Sequence, residues 1–227
     1  MKDPGGPAPE RAVSIPAGSA RLPGDLGLPP EAPGLVLFAH GSGSSRLSPR
    51  NRAVAAALRR AGLGTLLFDL LTPEEDRAYE TRFDIELLTR RLLGARDWWE
   101  LEPEAKDRSV GYFGASTGAA AALLAAARKP ESAAAVVSRG GRPDLADAEL
   151  PSVEAPTLLI VGGRDETVLE LNRRALARLR CEKELAVVPG ATHLFEEAGA
   201  MERVEALAAE WFLRHLRRGG RPGRPEP

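Results

Sequence analysis

The stretch Ser109-Val-Gly-Tyr-Phe-Gly-Ala-Ser-Thr-Gly-Ala-Ala-Ala-Ala-Leu123 sets Ser116 between Gly114 and Gly118 where an apolar run gives way to an alanine-rich helix. A strand that turns at once into a helix forces the turn residue into a strained backbone, and flanking glycines supply the room. That layout is a nucleophile elbow, which projects one side chain alone into a cleft. The same residues also serve as a plain strand-to-helix turn, so the chemistry depends on partners elsewhere in the chain.

Around the elbow, short apolar runs alternate with helical patterns, the signature of a mostly parallel sheet covered on both faces. The runs 35–39, 64–68, 109–113, 134–138, 157–161 and 184–188 are short and continuously apolar, as doubly covered strands are. Val13 to Ile15 and Ala20 to Leu22, separated by Pro16-Ala-Gly-Ser19, predict an antiparallel hairpin at one edge, giving about eight strands in all. Helices are expected over 49–61, 83–98, 117–129, 167–180 and 200–216, each with apolar residues at three- and four-residue spacing. In the fourth, Arg173, Arg174, Arg178 and Arg180 fall on the face opposite Leu171, Ala175, Leu176 and Leu179, so they read as a solvated face. Trp98 and Trp99 read as packing. The glycine- and proline-rich stretches 1–10 and 219–227 are expected to be flexible, leaving one domain over 11–218.

Composition narrows the function. With 227 residues, 43% of them hydrophobic, the chain can bury one good core but hardly two. A formal net charge of -1 gives no field to gather nucleic acid or an anionic membrane surface, so a small-molecule partner is expected. Cys181 is the only cysteine and the start lacks a secretory apolar core, which makes a cytoplasmic protein the default. No apolar run is long enough to span a membrane. Cysteine and histidine are too scarce and scattered for a metal site, and no cofactor motif is present. Glutamine is absent while proline and arginine are plentiful, a bias that fits a heat-loving source and a GC-rich genome equally.

A serine hydroxyl needs a base to take its proton, and the base needs an acid to hold its tautomer. Of the three histidines, His215 lies late in the last helix and His40 ends an early strand. His193 follows the last predicted strand in Pro189-Gly-Ala-Thr-His-Leu-Phe195, where open sheets place their ligands, and is the candidate base. The acid candidate is Asp165, after the apolar run 157–161 and the pair Gly162-Gly163; Glu166 is the fallback. An aspartate there also suits an N-cap, but the chain order serine, acid, histidine belongs to α/β-hydrolases. For the oxyanion, one backbone donor is expected at Thr117, at the start of a helix, and the other at Ser42 in the loop after the strand 35–39. His40 is then structural, fixing that loop. Arg46, Arg139 and Arg142 follow strand ends, where an anionic substrate group would be met, but solvated arginines are the simpler reading.

These motifs, His40-Gly-Ser-Gly43, Gly114-Ala-Ser-Thr-Gly118, Gly163-Arg-Asp165 and Gly190-Ala-Thr-His193, resemble the dienelactone hydrolase-like group of α/β-hydrolases from about Gly34 to Trp211. Dienelactone hydrolases proper carry cysteine as nucleophile, whereas this chain has Ser116. The resemblance with a serine implies a carboxylesterase acting on short or water-soluble esters, since little sequence is left for a lid. Lactones, thioesters and amides remain open on the same triad, and a non-catalytic binding protein of the same fold is the rival from another class.

Overall fold

The structure is a computed structural model that describes residues 10–18 and 20–216. The chain enters through a hairpin, β1 (Glu10–Ala17) and β2 (Ala20–Gly27). It continues through β3 (Gly34–Ala39), α1 (Pro49–Arg60), β4 (Gly64–Phe68), α2 (Ile85–Leu101), β5 (Ser109–Ala115) and α3 (Thr117–Arg128). The second half holds β6 (Ala135–Arg139), β7 (Thr157–Gly162), α4 (Glu166–Arg178), β8 (Lys183–Val188) and α5 (Ala200–His215). All eight strands form one sheet in the order β1-β2-β4-β3-β5-β6-β7-β8. The pairs from β4 to β8 are parallel, while β1 with β2 and β2 with β4 are antiparallel. The expected α/β architecture with an antiparallel N-terminal edge is therefore what forms.

The hairpin strands are longer than their apolar cores because Pro23, Gly24 and Gly27, which punctuate the sequence like a turn, lie inside β2. Space is tight there: a Cβ on Gly27 would stand 2.5 Å from the Arg59 side chain, and one on Gly24 3.1 Å from Val13. Of the stretch 1–10 only Glu10 is described, and it opens β1; the tail 219–227 lies outside the described residues.

Strands β3, β5, β6 and β7 are buried along their whole length, which their unbroken apolar runs dictate. Side-chain alternation splits the core in two. Leu35, Leu37 and Tyr112 face α2 and α3, with Leu88, Leu92, Trp99 and the α3 alanines. Val36, Phe38, Phe113, Val137 and Ile160 face α1 and α5, with Val54, Leu58, Trp211 and Phe212. Each such large side chain stabilises the fold by roughly 1.5–3 kcal/mol on burial. Trp99 is 1% exposed, so it packs as expected, and Arg173, Arg174, Arg178 and Arg180 are exposed. His215 stacks on Trp211 with ring centroids 4.6 Å apart.

Between β6 and β7 the chain runs through a 3-10 stretch, Pro143–Ser152, that packs on α3 and α4. Pro143 and Pro151 bound it and hide it from a helical reading, and it leaves no lid over the sheet. The order reverses at β3: from it the chain goes to β4 on one side, then returns to β5 on the other. Ligand crevices in open α/β sheets lie at such a reversal, beyond the carboxyl ends of the strands.

Candidate active site

Ser116 stands at that reversal, directly after β5, with φ 52 and ψ -121. A positive φ in a serine costs on the order of 1–3 kcal/mol and persists only when the surroundings impose it. They do so through two main-chain bonds: the Ser116 amide donates to the Arg139 carbonyl (3.3 Å), and the Arg142 amide donates to the Ser116 carbonyl (3.1 Å). The glycines explain the elbow atom by atom. A Cβ on Gly114 would lie 2.4 Å from Ala119 Cα, and one on Gly118 2.1 Å from the Ala39 carbonyl oxygen. Helix α3 thus begins closer to β3 and β5 than any side chain permits.

His193 and Asp165 are joined. His193 Nδ1 and Asp165 Oδ2 are 2.7 Å apart, with the carboxylate largely covered and the imidazole open to the cleft. Although Asp165 occupies the N-cap position of α4, its side chain makes no cap hydrogen bond; it is given to the imidazole instead. Glu166, the fallback acid, is exposed as the first residue of α4.

The two loops are brought together by the Arg164 amide donating to the Ala191 carbonyl (2.9 Å) and by Gly162, where a Cβ would fall 2.4 Å from that same oxygen. The histidine loop is further fixed by the Thr192 amide on Glu197 Oε2 (3.0 Å), and Phe195 is buried in it with φ 56. Gly140, with φ 52, lies under the imidazole: its Cβ would be 3.5 Å from His193 Nδ1 and Cε1. The turn that holds Ser116 in place is thus the floor on which His193 sits.

The two residues expected to offer oxyanion donors are in contact, and one of the two amides is already engaged. The Ser42 amide donates to Thr117 Oγ1 at 2.9 Å, while the Thr117 amide belongs to the first turn of α3, whose N–H groups lack intrahelical partners. Gly41 lets this loop approach, since a Cβ there would be 3.1 Å from Ser116 Cβ. His40 fixes the loop as expected. Its Nε2 accepts from the Leu70 amide (3.0 Å), which assigns the proton to Nδ1 and makes that nitrogen the donor to the Gly41 carbonyl (3.0 Å). Burial holds its pKa below the ordinary 6.5.

Of the three arginines after strand ends, Arg46 binds Asp69 (2.6 Å) and Arg142 binds Asp144 (2.7 Å). Arg139 corrects the solvated reading, because it is 7% exposed. Its position at the end of β6 gave no hint of this, since burial depends on how Phe195 and α1 close over it. Several large apolar side chains exposed to solvent lie in the segments that follow parallel strands: Leu47 after β3, Tyr79 and Phe83 after β4, Leu145 after β6 and Leu194 after β8. Cys181 lies at the opposite end, its sulfur 3.8 Å from the hydroxyl of Thr157, the first residue of β7; burial raises its pKa. Among the described residues no helix is long and apolar enough to cross a membrane, and no group of three His, Cys, Asp or Glu side chains could hold a metal ion.

The sheet order and the strained serine at its reversal are those of the α/β-hydrolase fold. The model of the dienelactone hydrolase family matches residues 32–217, and the chain belongs to that family. It is 57% identical to a dienelactone hydrolase from Anabaena variabilis whose crystal structure superposes with a TM-score of 0.91, covering 93% of this chain and 100% of that one. A lidless α/β serine hydrolase from Xanthomonas campestris shares the fold at 21% identity and a TM-score of 0.75, over 98% of this chain and 100% of its own. A Mycobacterium tuberculosis protein named "Putative phosphoribosyl transferase" is 56% identical over 92% of this chain. The chain spans about half the length of that relative, 47% of it.

Proposed function

We propose that the protein is a serine carboxylesterase that cleaves short or water-soluble esters through an acyl-enzyme. The observation that carries this reading is the Asp165–His193 bond at 2.7 Å, whose imidazole rests against Gly140 in the turn bonded to the strained Ser116, an acid that has left its capping role to orient an imidazole. In the proposed cycle Ser116 Oγ attacks the ester carbonyl carbon while His193 Nε2 takes its proton. The oxyanion that forms is met by the Thr117 and Ser42 amides, the second exchanging its Thr117 hydroxyl partner for the charged oxygen. His193 then protonates the leaving alcohol, and a water activated by the same nitrogen releases the acid. The lidless mouth with its exposed apolar side chains suits a modest acyl group better than a long lipid chain.

Lactones and thioesters undergo the same steps, the leaving group being an alkoxide tethered to the acyl chain in the first and a thiol in the second. The transferase name borne by the mycobacterial relative belongs to a chain about twice this length, and the 210 residues it shares with this chain overlap most of the 32–217 that the hydrolase family model covers. Hydrolysis of p-nitrophenyl acetate and butyrate, with a fluorophosphonate attaching to Ser116 and both lost in Ser116→Ala, is the expected result. Labelling at another residue, or full activity in the alanine variant, would overturn the reading.

A further inference from the structure

Asn172 is a polar residue among the buried positions of α4, where its companions are Val168, Leu169 and Ala175. Its side chain is fully buried. Nδ2 donates twice, to the Val168 carbonyl of its own helix (2.8 Å) and to the Gly141 carbonyl (3.0 Å). Among the described residues no donor reaches its Oδ1. A buried carbonyl oxygen left in that state costs on the order of 1–3 kcal/mol, so packing alone does not account for an asparagine here. What the amide adds is the bond to Gly141.

Gly141 belongs to the turn 139–142, which touches two members of the proposed triad. The Arg139 carbonyl accepts from the Ser116 amide, the Arg142 amide donates to the Ser116 carbonyl, and Gly140 lies under the His193 imidazole. The third member, Asp165, is the N-cap of the helix that carries Asn172. Asn172 follows it by seven residues, just under two helical turns, so the two lie on one face of α4. From that face Asp165 bonds His193, and Asn172 bonds the turn on which His193 sits. The turn has little slack elsewhere: a Cβ on Gly141 would lie 2.0 Å from Ser138 Oγ and 2.7 Å from Ala119 Cβ. It is pressed against β6 and α3, and Asn172 ties it to α4.

We infer that Asn172 is a positioning residue, which fixes α4 to the turn 139–142 and so sets the Asp165–His193 pair in register with Ser116. The inference rests on the esterase reading for its effect on turnover. Asn172 meets neither the substrate nor the reacting atoms; it acts through Gly141. Without it, the helix that carries the acid and the floor beneath the imidazole shift independently. A displacement of about 1 Å between catalytic groups lowers a rate by up to about a hundredfold, while the cleft that receives the substrate keeps its shape.

The test is a double-mutant cycle of Asn172→Leu with Asp165→Asn, read in the hydrolysis of p-nitrophenyl butyrate. Asn172→Leu keeps the size of the side chain and removes the donor. Alone it is expected to lower kcat by about tenfold or more, with KM within about twofold of wild type. In the Asp165→Asn background, where the imidazole has already lost its orienting partner, the same change should lower kcat by less than about twofold. Equal factors in the two backgrounds, the result of a purely structural role, would overturn the inference. Asn172→Ala removes the same donor without filling the space, and it carries the cycle if the leucine variant folds poorly by its Tm. A second arm needs no turnover. The proton between His193 Nδ1 and Asp165 Oδ2 is expected as a low-field proton resonance in wild type that Asp165→Asn abolishes. In Asn172→Leu it should broaden or move upfield, and an unchanged resonance would overturn the inference as well. A protein that hydrolyses no ester yet shows this response refutes the esterase reading and keeps the positioning role.

Discussion

The Ser42 amide donates to the Thr117 hydroxyl at 2.9 Å, a bond that ties the loop after β3 to the first turn of α3. It joins the two residues whose amides are suited to an oxyanion, and it gives the Ser42 amide an acceptor in the resting protein. Thr117→Val keeps the shape of the side chain and leaves that amide without its partner. The expected outcome is a loss of about 1 kcal/mol in stability and a several-fold rise in kcat, since the hydroxyl no longer competes with the oxyanion for the amide, both largely reversed in Thr117→Ser. Unfolding curves and steady-state kinetics on one neutral ester check it, and a Val variant equal to wild type in both would reduce the bond to an incidental contact.

Asp165→Asn should fold normally, since the side chain caps nothing, and should reduce turnover by roughly three to four orders of magnitude by presenting an amide to the imidazole. Circular dichroism and ester hydrolysis separate the two effects. A rate within tenfold of wild type would hand the acid role to a neighbour such as Glu166.

The glycines of the elbow and of α2 make a paired test of close approach. Gly118→Ala would press a methyl group to 2.1 Å from one carbonyl oxygen and 2.5 Å from another, both main chain, and is expected to cost about 3 kcal/mol or more. Gly94, in the middle of α2, has nothing within 4 Å of its added Cβ, so Gly94→Ala should stabilise by roughly 0.5–1 kcal/mol. Denaturant titration of both proteins reads the opposite signs directly.

His40 should make the fold sensitive to mild acid. Its folded pKa lies below 6.5, chiefly through burial, against opposing contributions from the Gly41 carbonyl and from Asp69 and Asp76. Below pH 6.5 the unfolded chain therefore binds a proton that the folded protein resists, so stability is full above that pH and declines as pH falls towards the lower folded value. His40→Gln retains an acceptor for Leu70 and a donor for Gly41 but does not titrate. Between about pH 7 and about pH 5 the Tm of wild type should fall more steeply than that of the glutamine variant. Parallel slopes would locate the acid sensitivity elsewhere.

Most of the fold is legible in the chain because its inner strands are apolar on both faces and its helices are punctuated by recognisable starts. Ser48 before Pro49 and Asp84 before Ile85 both accept a backbone hydrogen bond from the helix they open. The elbow is legible for a related reason: Gly114 and Gly118 are required by contacts with residues adjacent in sequence or on a neighbouring strand. What the sequence hides depends on distant packing. Pro23 and Gly24 read as a turn yet lie within a strand, because pairing with β1 and β4 overrides local preference. The partner of the Ser42 amide lies 75 residues away. Arg139 reads like any arginine after a strand until Phe195 and α1 enclose it.

The left-handed torsion at Ser116 also sets endurance against turnover. Ser116→Gly would relieve a backbone cost of about 1–3 kcal/mol, set against the roughly 1 kcal/mol that a glycine adds in unfolded-chain entropy, while removing the hydroxyl that the proposed cycle uses as its nucleophile. Selection of a variant library for heat resistance alone would favour that glycine, and selection for product formation would discard it. The same torsion thus makes residue 116 a place where the two selections part company.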